Sequence, residues 1–140
     1  MSLPFDLDHV RAHPTMYLVR VEFDTIAAYI QGLDAATHYS LLVGFHEWLV
    51  PKCDWGPNLA WTELILALAF PGVDDSRRQL QQPDDHAKAI ECLFANLDAF
   101  WAERSTPEGM RAIYLRFHAW LKRQEWYTPA MPDWMDDEGN

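Results

Sequence analysis

Histidines near carboxylates are the first candidates for chemistry in this sequence of 140 residues. His46 and Glu47 begin the pattern of a zinc-protease helix, but that pattern requires a second histidine four residues after the first, and position 50 holds a valine. His9 and His13 do have that spacing, yet a proline follows at once and the sequence offers no third ligand. We therefore predict no metal and no cofactor, and we interpret these side chains as surface histidines.

The sequence shows no complete set of residues for nucleophilic catalysis either. Cys53 lies near His46 and Asp54 in the sequence, but catalytic cysteine–histidine pairs are assembled in space, so closeness along the chain gives no support. Cys92 falls at the edge of an apolar helical stripe, where a small thiol packs like a hydrophobic residue. The adjacent aspartate pairs of the chain lack the glycine and the spacing of an EF-hand. We expect no catalytic residue and a protein that is not an enzyme.

The formal net charge is −10 and is unevenly distributed. Residues 1–70 contain three basic and eight acidic residues, residues 71–124 contain eight of each, and residues 125–140 contain five acidic residues and no basic one. Nucleic acid and anionic membranes are poor partners, because binding to phosphate needs a basic footprint. A basic protein is the natural partner, although acidity can also serve solubility alone. The candidate partner-binding residues are acidic with one tryptophan: Asp74, Asp75, Asp84, Asp85, Asp133, Trp134, Asp136, Asp137 and Glu138.

Residues 125–140 form a tail that we separate from a helical domain over residues 1–124. Its five acids are mixed with aromatic and methionine side chains, which are typical of interface centres. One interpretation is that Trp134 and the neighbouring acids contact a basic partner. The other is that Trp126 and Trp134 fold back over the core.

Apolar residues recur at helical spacing in several segments, and no strand pattern of convincing length is present. Residues 16–23 alternate partly, and we expect an extended loop or a short edge there. One helix should begin near Asp24, which is a good N-cap residue. A second helical stretch should end at Pro51, since proline disfavours helix in the residue before it. A third should run from a cap at Asn58 to about Phe70, before a Pro-Gly pair.

The clearest apolar stripe extends from Ala87 to Trp101 and follows a proline and two aspartates that suit a first helical turn. A second stripe, from Met110 to Leu121, follows a Ser-Thr-Pro-Glu capping-box pattern. Because the connection is short, residues 86–103 and 107–123 should pack as an antiparallel hairpin. The predicted fold is an all-α, single compact domain of about five helices.

Four segments resemble a family of small bacterial proteins encoded beside polymorphic toxins. They are Pro-x-Met-Tyr at 14–17, Gly-Phe-x-Glu-Trp at 44–48, the aromatic segment 61–70, and the stripe at 84–100. The resemblance covers about residues 10–103, and the chain departs from it by His-Pro-Thr at 13–15 where Arg-Pro-Gly or Arg-Pro-Ala is commoner. The matched side chains should mostly pack the core rather than contact a partner: Met16, Tyr17, Phe45, Trp48 and Trp61.

The resemblance implies an immunity protein that binds and occludes a cognate toxin, and the acidity suits a basic toxin such as a nuclease. The alternative is a non-enzymatic helical adaptor or regulatory module with no toxin partner. A third possibility is an enzyme whose site no motif reveals. The N-terminus lacks a signal-peptide pattern and the two cysteines lie far apart, which favours a reducing cytoplasm.

Overall fold

The computed structural model describes residues 3–128, and within that range it is all-helical, with six α-helices and no strand, in a single compact domain. The prediction of an all-α fold is confirmed, with one helix more than expected. Two short 3₁₀ helices, Pro14–Met16 and Ser76–Gln79, interrupt the connections. The α-helices are α1 (Leu7–Ala12), α2 (Phe23–Ala36), α3 (Phe45–Cys53), α4 (Trp61–Ala69), α5 (Pro83–Arg104) and α6 (Gly109–Lys122).

Helix α5 lies at the centre of the packing and contacts α2, α3, α4 and α6. Leu93, Phe94, Leu97 and Phe100 recur at helical spacing on its inner face and are all buried. The predicted stripe is therefore the inner face of the central helix. The helix begins at Pro83 as expected, because proline at the first helical position costs no internal hydrogen bond.

An aromatic cluster joins α3, α4 and α5. The ring of Phe45 lies 5.0 Å from that of Phe100, 5.7 Å from that of Trp61 and 6.2 Å from that of Trp48, between centroids. Phe45 and Trp48 are buried and Trp61 is half-buried, so these three matched residues do pack the core as expected. Because aromatic pairs at these separations attract one another beyond simple burial, the cluster fixes how the three helices meet.

The same expectation was wrong for Met16 and Tyr17. Met16 is 70% exposed and Tyr17 is 38% exposed. The short 3₁₀ helix that begins at Pro14 ends after one turn, so no continuous helical face carries these side chains inward. The Tyr17 hydroxyl instead lies 2.6 Å from Nδ1 of His9, and its ring meets that of Tyr29 edge-on.

The start of the second helix differs from the predicted one. Helix α2 begins at Phe23 with Glu22 as its N-cap, and Glu22 and Thr25 exchange side-chain and backbone hydrogen bonds in a capping box. The predicted cap, Asp24, lies in the first turn of the helix. Helix α2 also ends at Ala36, so it is not continuous with α3.

Helix α3 continues through Pro51 to Cys53, so the predicted end at the proline was wrong. An internal proline removes one backbone hydrogen bond. Burial of Leu49 and Val50 on the preceding turn stabilises the helix in its place, because helical stability comes mostly from tertiary packing. The helix ends where Asp54 adopts a left-handed conformation, with φ of 54°. Helix α4 then begins at Trp61, beyond the predicted cap at Asn58, and it does end before the Pro-Gly pair.

The predicted capping box before α6 is absent. The hydroxyls of Ser105 and Thr106 donate to the backbone carbonyls of Trp101 and Glu103, so they close α5 rather than open α6. Hydroxyl side chains bond readily to carbonyls three or four residues earlier, and here that bond competes with capping. Helices α5 and α6 do contact each other, and α6 also packs along α3. The antiparallel hairpin itself stays a prediction.

The turn between α5 and α6 requires a glycine. A Cβ atom on Gly109 would lie 1.9 Å from the backbone oxygen of Glu103, whereas a Cβ atom on Gly32 in α2 would meet no atom within 4 Å. We expect Gly109→Ala to lower the free energy of unfolding by about 3 kcal/mol, the upper end of ordinary overpacking. The matched control Gly32→Ala should raise it by about 0.5–1 kcal/mol, since alanine favours helix. Urea unfolding of both variants measures this, and equal changes would contradict the packing described for Gly109.

Candidate functional site

A groove of about 510 Å³ lies between the end of α3, helix α4 and the loop that follows α4. We call it the Trp55 groove. Apolar side chains make up one part of its lining and polar side chains the other. The apolar part includes Trp55, Leu59, Leu68, Phe70 and Val73, and the polar part includes Lys52, Cys53, Glu63, Asp74, Asp75 and Ser76.

The loop after α3 presents Trp55 to the groove. Trp55 lies between two residues in left-handed conformations, Asp54 with φ of 54° and Gly56 with φ of 75°. A side chain at position 56 would collide with Leu64, since its Cβ would lie 2.8 Å from that residue. The Asp54 carboxylate accepts a hydrogen bond of 2.6 Å from the indole N–H of Trp120, which holds the turn against α6. The sharp turn leaves Trp55 55% exposed.

Arg77 fixes the opposite wall of the groove. Its guanidinium donates to Glu63 on α4 at 2.6 Å and to Asp24 on α2 at 2.9 Å. These hydrogen bonds to Glu63 and Asp24 raise the pKa of Arg77 above its ordinary value. The 3₁₀ helix Ser76–Gln79 is thus tied to two α-helices, which holds the 70–76 loop in place.

Two of the four charged residues that line the groove form ion pairs within the fold. Glu63 is engaged by Arg77, and Asp75 forms an ion pair of 3.1 Å with Arg78. Lys52 donates to the Asn96 side-chain oxygen at 2.5 Å and lies 4.7 Å from the centre of the Trp48 ring. Asp74 is exposed and forms no ion pair with any residue in the 3–128 range. It is therefore the carboxylate of the groove that can accept a cation from outside.

The cysteines are not poised as nucleophiles. The Cys53 thiol donates to the backbone oxygen of Leu64 at 3.6 Å, and the Cys92 thiol donates to that of Ile65 at 3.8 Å. Burial raises the pKa of Cys53 to about 11 and also raises the pKa of Cys92. Both groups are thiols near neutral pH, while the thiolate is the form that attacks.

No hydrogen bond among the described residues connects Cys53, His46 and Asp54, as a catalytic nucleophile set would require. Nδ1 of His46 lies 3.9 Å from the Glu47 carboxylate, and its ring faces that of Phe117 on α6. Asp54 is engaged by Trp120. The aspartate that would orient the histidine therefore holds a loop instead.

The histidine pair near the N-terminus makes no metal site within the part of the chain that the structure describes. His9 and His13 do lie together, with 4.8 Å between ring centroids, but Nδ1 of His9 is hydrogen-bonded to Tyr17. Across residues 3–128 no three histidine, cysteine or acidic side chains are grouped as metal ligands would be. None of the helices there has the length and apolar character needed to span a bilayer.

The predicted partner-binding residues fall in different places. Asp74 and Asp75 line the Trp55 groove. Asp84 and Asp85 lie in the first turn of α5, outside the groove lining. Asp85 accepts the backbone N–H groups of Gln81 and Gln82, so its carboxylate caps the helix. The remaining five lie outside the described residues: Asp133, Trp134, Asp136, Asp137 and Glu138.

Trp55 and Val73 were missed as site residues by reasoning from the sequence. Both occupy segments that read as connections, between Pro51 and Pro57 and after Pro71. A large apolar side chain within a proline- and glycine-bounded loop was the available signal, because such loops lie at the surface. Trp126, in the predicted tail, is also about half exposed and its ring approaches that of Trp120.

Comparison with models of protein families, with curated proteins and with solved structures found no match for the chain. The likeness to immunity proteins therefore remains a prediction. The Trp55 groove is the structural feature that bears on function.

The environment of Cys53 gives a chemical prediction. In a Cys92→Ser background, alkylation of Cys53 by iodoacetamide at pH 8 should be about 100-fold slower in the folded protein than in urea, because its raised pKa removes most of the thiolate. Mass spectrometry of timed samples measures both rates. Equal rates would show that the thiol is neither buried nor held by Leu64.

Proposed function

We propose that the chain is a non-enzymatic immunity protein that binds a cognate bacterial toxin and blocks it by occlusion, the toxin being a basic protein such as a nuclease. The observation that carries the proposal is the Trp55 groove. It combines an exposed tryptophan with the Asp74 carboxylate, which forms no ion pair within residues 3–128, on a concave surface. The resemblance described above supplies the toxin as partner.

The composition of the groove supports protein binding. Tryptophan is enriched among the residues that dominate binding energy, and such residues lie at desolvated centres rimmed by polar groups. Val73, 41% exposed, lies in the same lining, so the apolar surface extends beyond one ring. The net charge of −10 adds a long-range attraction for a basic partner, which mainly speeds association.

The chemistry of the titratable groups supports a role without catalysis. The groove cysteine is held as a thiol, and its acids are engaged by arginines apart from Asp74. A catalytic site needs a nucleophile or base within hydrogen-bond reach of an activating partner. Occlusion requires only a complementary surface.

Relief of toxicity tests the function directly. The product of the neighbouring gene should inhibit growth when expressed alone, and co-expression of this chain should restore growth. Trp55→Ala together with Asp74→Asn should reduce the protection, whereas the matched exposed controls Val19→Ala and Glu91→Gln should retain it. An adaptor with no toxin partner predicts no growth inhibition to relieve. Protection that survives the double substitution would place the contact outside the groove.

The tail hypothesis has a separate test by deletion of residues 130–140. If Trp134 and its neighbouring acids contact the toxin, the truncated chain should keep its melting temperature but associate more slowly and with less dependence on salt, because acidic residues steer a basic partner. Stopped-flow association and thermal melts measure both quantities. A lower melting temperature with unchanged affinity would assign the tail to the fold.

A further inference from the structure

We propose that the Trp55 groove takes one long cationic side chain, arginine or lysine, that projects from the partner protein, with the Trp55 ring and the Asp74 carboxylate as the two groups that recognise it. This inference deepens the proposed function by naming the chemistry of the partner residue. It rests on which groups of the groove are already engaged within the fold and which are not.

Several cationic side chains among the described residues lie over aromatic rings. The guanidinium of Arg104 lies 4.3 Å from the centre of the Trp101 ring, and the ammonium of Lys52 lies 4.7 Å from that of Trp48. Lys88 lies 5.1 Å from the centre of the Phe70 ring, which also lines the groove. Those rings therefore already hold a cation.

Trp55 differs from these aromatic residues. Its ring makes no stacking or cation contact with any residue between 3 and 128, although it is more than half exposed. An exposed tryptophan offers the ring face that attracts cations most strongly. The backbone turns at Asp54 and Gly56 set the direction in which the Trp55 side chain leaves the chain, so the backbone needs little ordering when a ligand arrives.

Asp74 supplies the matching charge. The neighbouring acids are engaged by arginines of the 3₁₀ helix: Glu63 by Arg77, which also pairs with Asp24, and Asp75 by Arg78. Lys52 is directed to Asn96, so its charge does not satisfy Asp74. Among residues 3–128, the groove therefore has one carboxylate that forms no ion pair and one aromatic ring that makes no stacking or cation contact, both in the same lining.

These two groups suit an arginine or lysine better than other ligands. Such a side chain has an apolar stem, which can lie along Leu59 and Val73, and a charged head, which can reach a carboxylate at the rim. An acidic side chain would meet Asp74 with like charge, and a purely apolar one would leave that carboxylate without a partner. The net charge of −10 would speed the approach of a basic protein to the chain.

Peptide probes test the subsite without the toxin. An acetylated and amidated tripeptide with arginine between two glycines is titrated into the ¹⁵N-labelled protein, and its norleucine counterpart serves as the uncharged control. The Trp55 indole signal, assigned with Trp55→Phe, and the Asp74 amide signal should both shift with the arginine peptide. Asp74→Asn should weaken that binding about two- to fivefold, as expected for the loss of one exposed ion pair.

The control for charge is Glu91→Gln, which removes one exposed acid of α5 and should leave the titration unchanged. Equal shifts with the norleucine peptide, shifts confined to other surfaces, or unchanged binding by Asp74→Asn would each overturn the proposal. Since Trp55 and Asp74 are exposed, their substitutions should leave the thermal melt unaltered, and the melt is recorded for each variant.

The outcome is separable from that of the proposed function. Peptide binding at Trp55 without relief of toxicity would support the subsite and overturn the immunity role. Relief of toxicity with no arginine response at Trp55 and Asp74 would support the immunity role and overturn the subsite.

Discussion

The packing of Phe100 against α3 is the contact on which the rest of the structure depends. Phe100 is fully buried, and its ring lies 5.0 Å from that of Phe45 and 6.2 Å from that of Trp48. The indole N–H of Trp48 also donates to the Glu103 carboxylate at 2.8 Å, so the buried ring has a satisfied polar end. Helix α3 is therefore held in one orientation on the central helix, and the loop that carries Trp55 begins where α3 ends.

Arg104 completes that contact from the end of α5. Its guanidinium donates to the backbone carbonyls of Ser40 at 2.6 Å and Leu41 at 2.7 Å and stacks on the Trp101 ring. The connection between α2 and α3 would otherwise leave these carbonyls to water alone. Burial lowers the pKa of Arg104 below its ordinary value, but a guanidinium remains charged at any pH at which the protein is studied. The C-terminal end of α5 thus orders both the connection that leads into α3 and the position of α3.

Local patterns predicted the helices well where one residue decides the outcome. The start of α5 followed from Pro83 and its neighbouring aspartates, and its buried face followed from spacing alone. Predictions were wrong where two local signals compete. Pro51 was expected to end α3, yet packing outweighs its lost hydrogen bond, and Ser105 closes one helix rather than opening the next.

The candidate site was predictable only in part. Asp74 was identified from charge, but nothing in its own segment indicates that Arg77 and Arg78 engage Glu63 and Asp75 and leave Asp74 without an ion pair among residues 3–128. Trp55 was not identified, because its exposure depends on Gly56 being pressed against Leu64 in another element. The walls of the groove come from separate loops that packing brings together. Periodicity in the sequence therefore does not predict them.

Hydrogen exchange of the complex with the neighbouring gene's product locates the surface that the partner binds. We expect binding to slow amide exchange in residues 52–59 and 70–76, two segments that line the Trp55 groove. Segments on other surfaces, such as residues 14–21 with the exposed Met16 and Val19, should exchange at the rate of the free protein. Protection of residues 14–21 with none at 52–59 and 70–76 would contradict binding at the Trp55 groove, because the partner would then bind another surface.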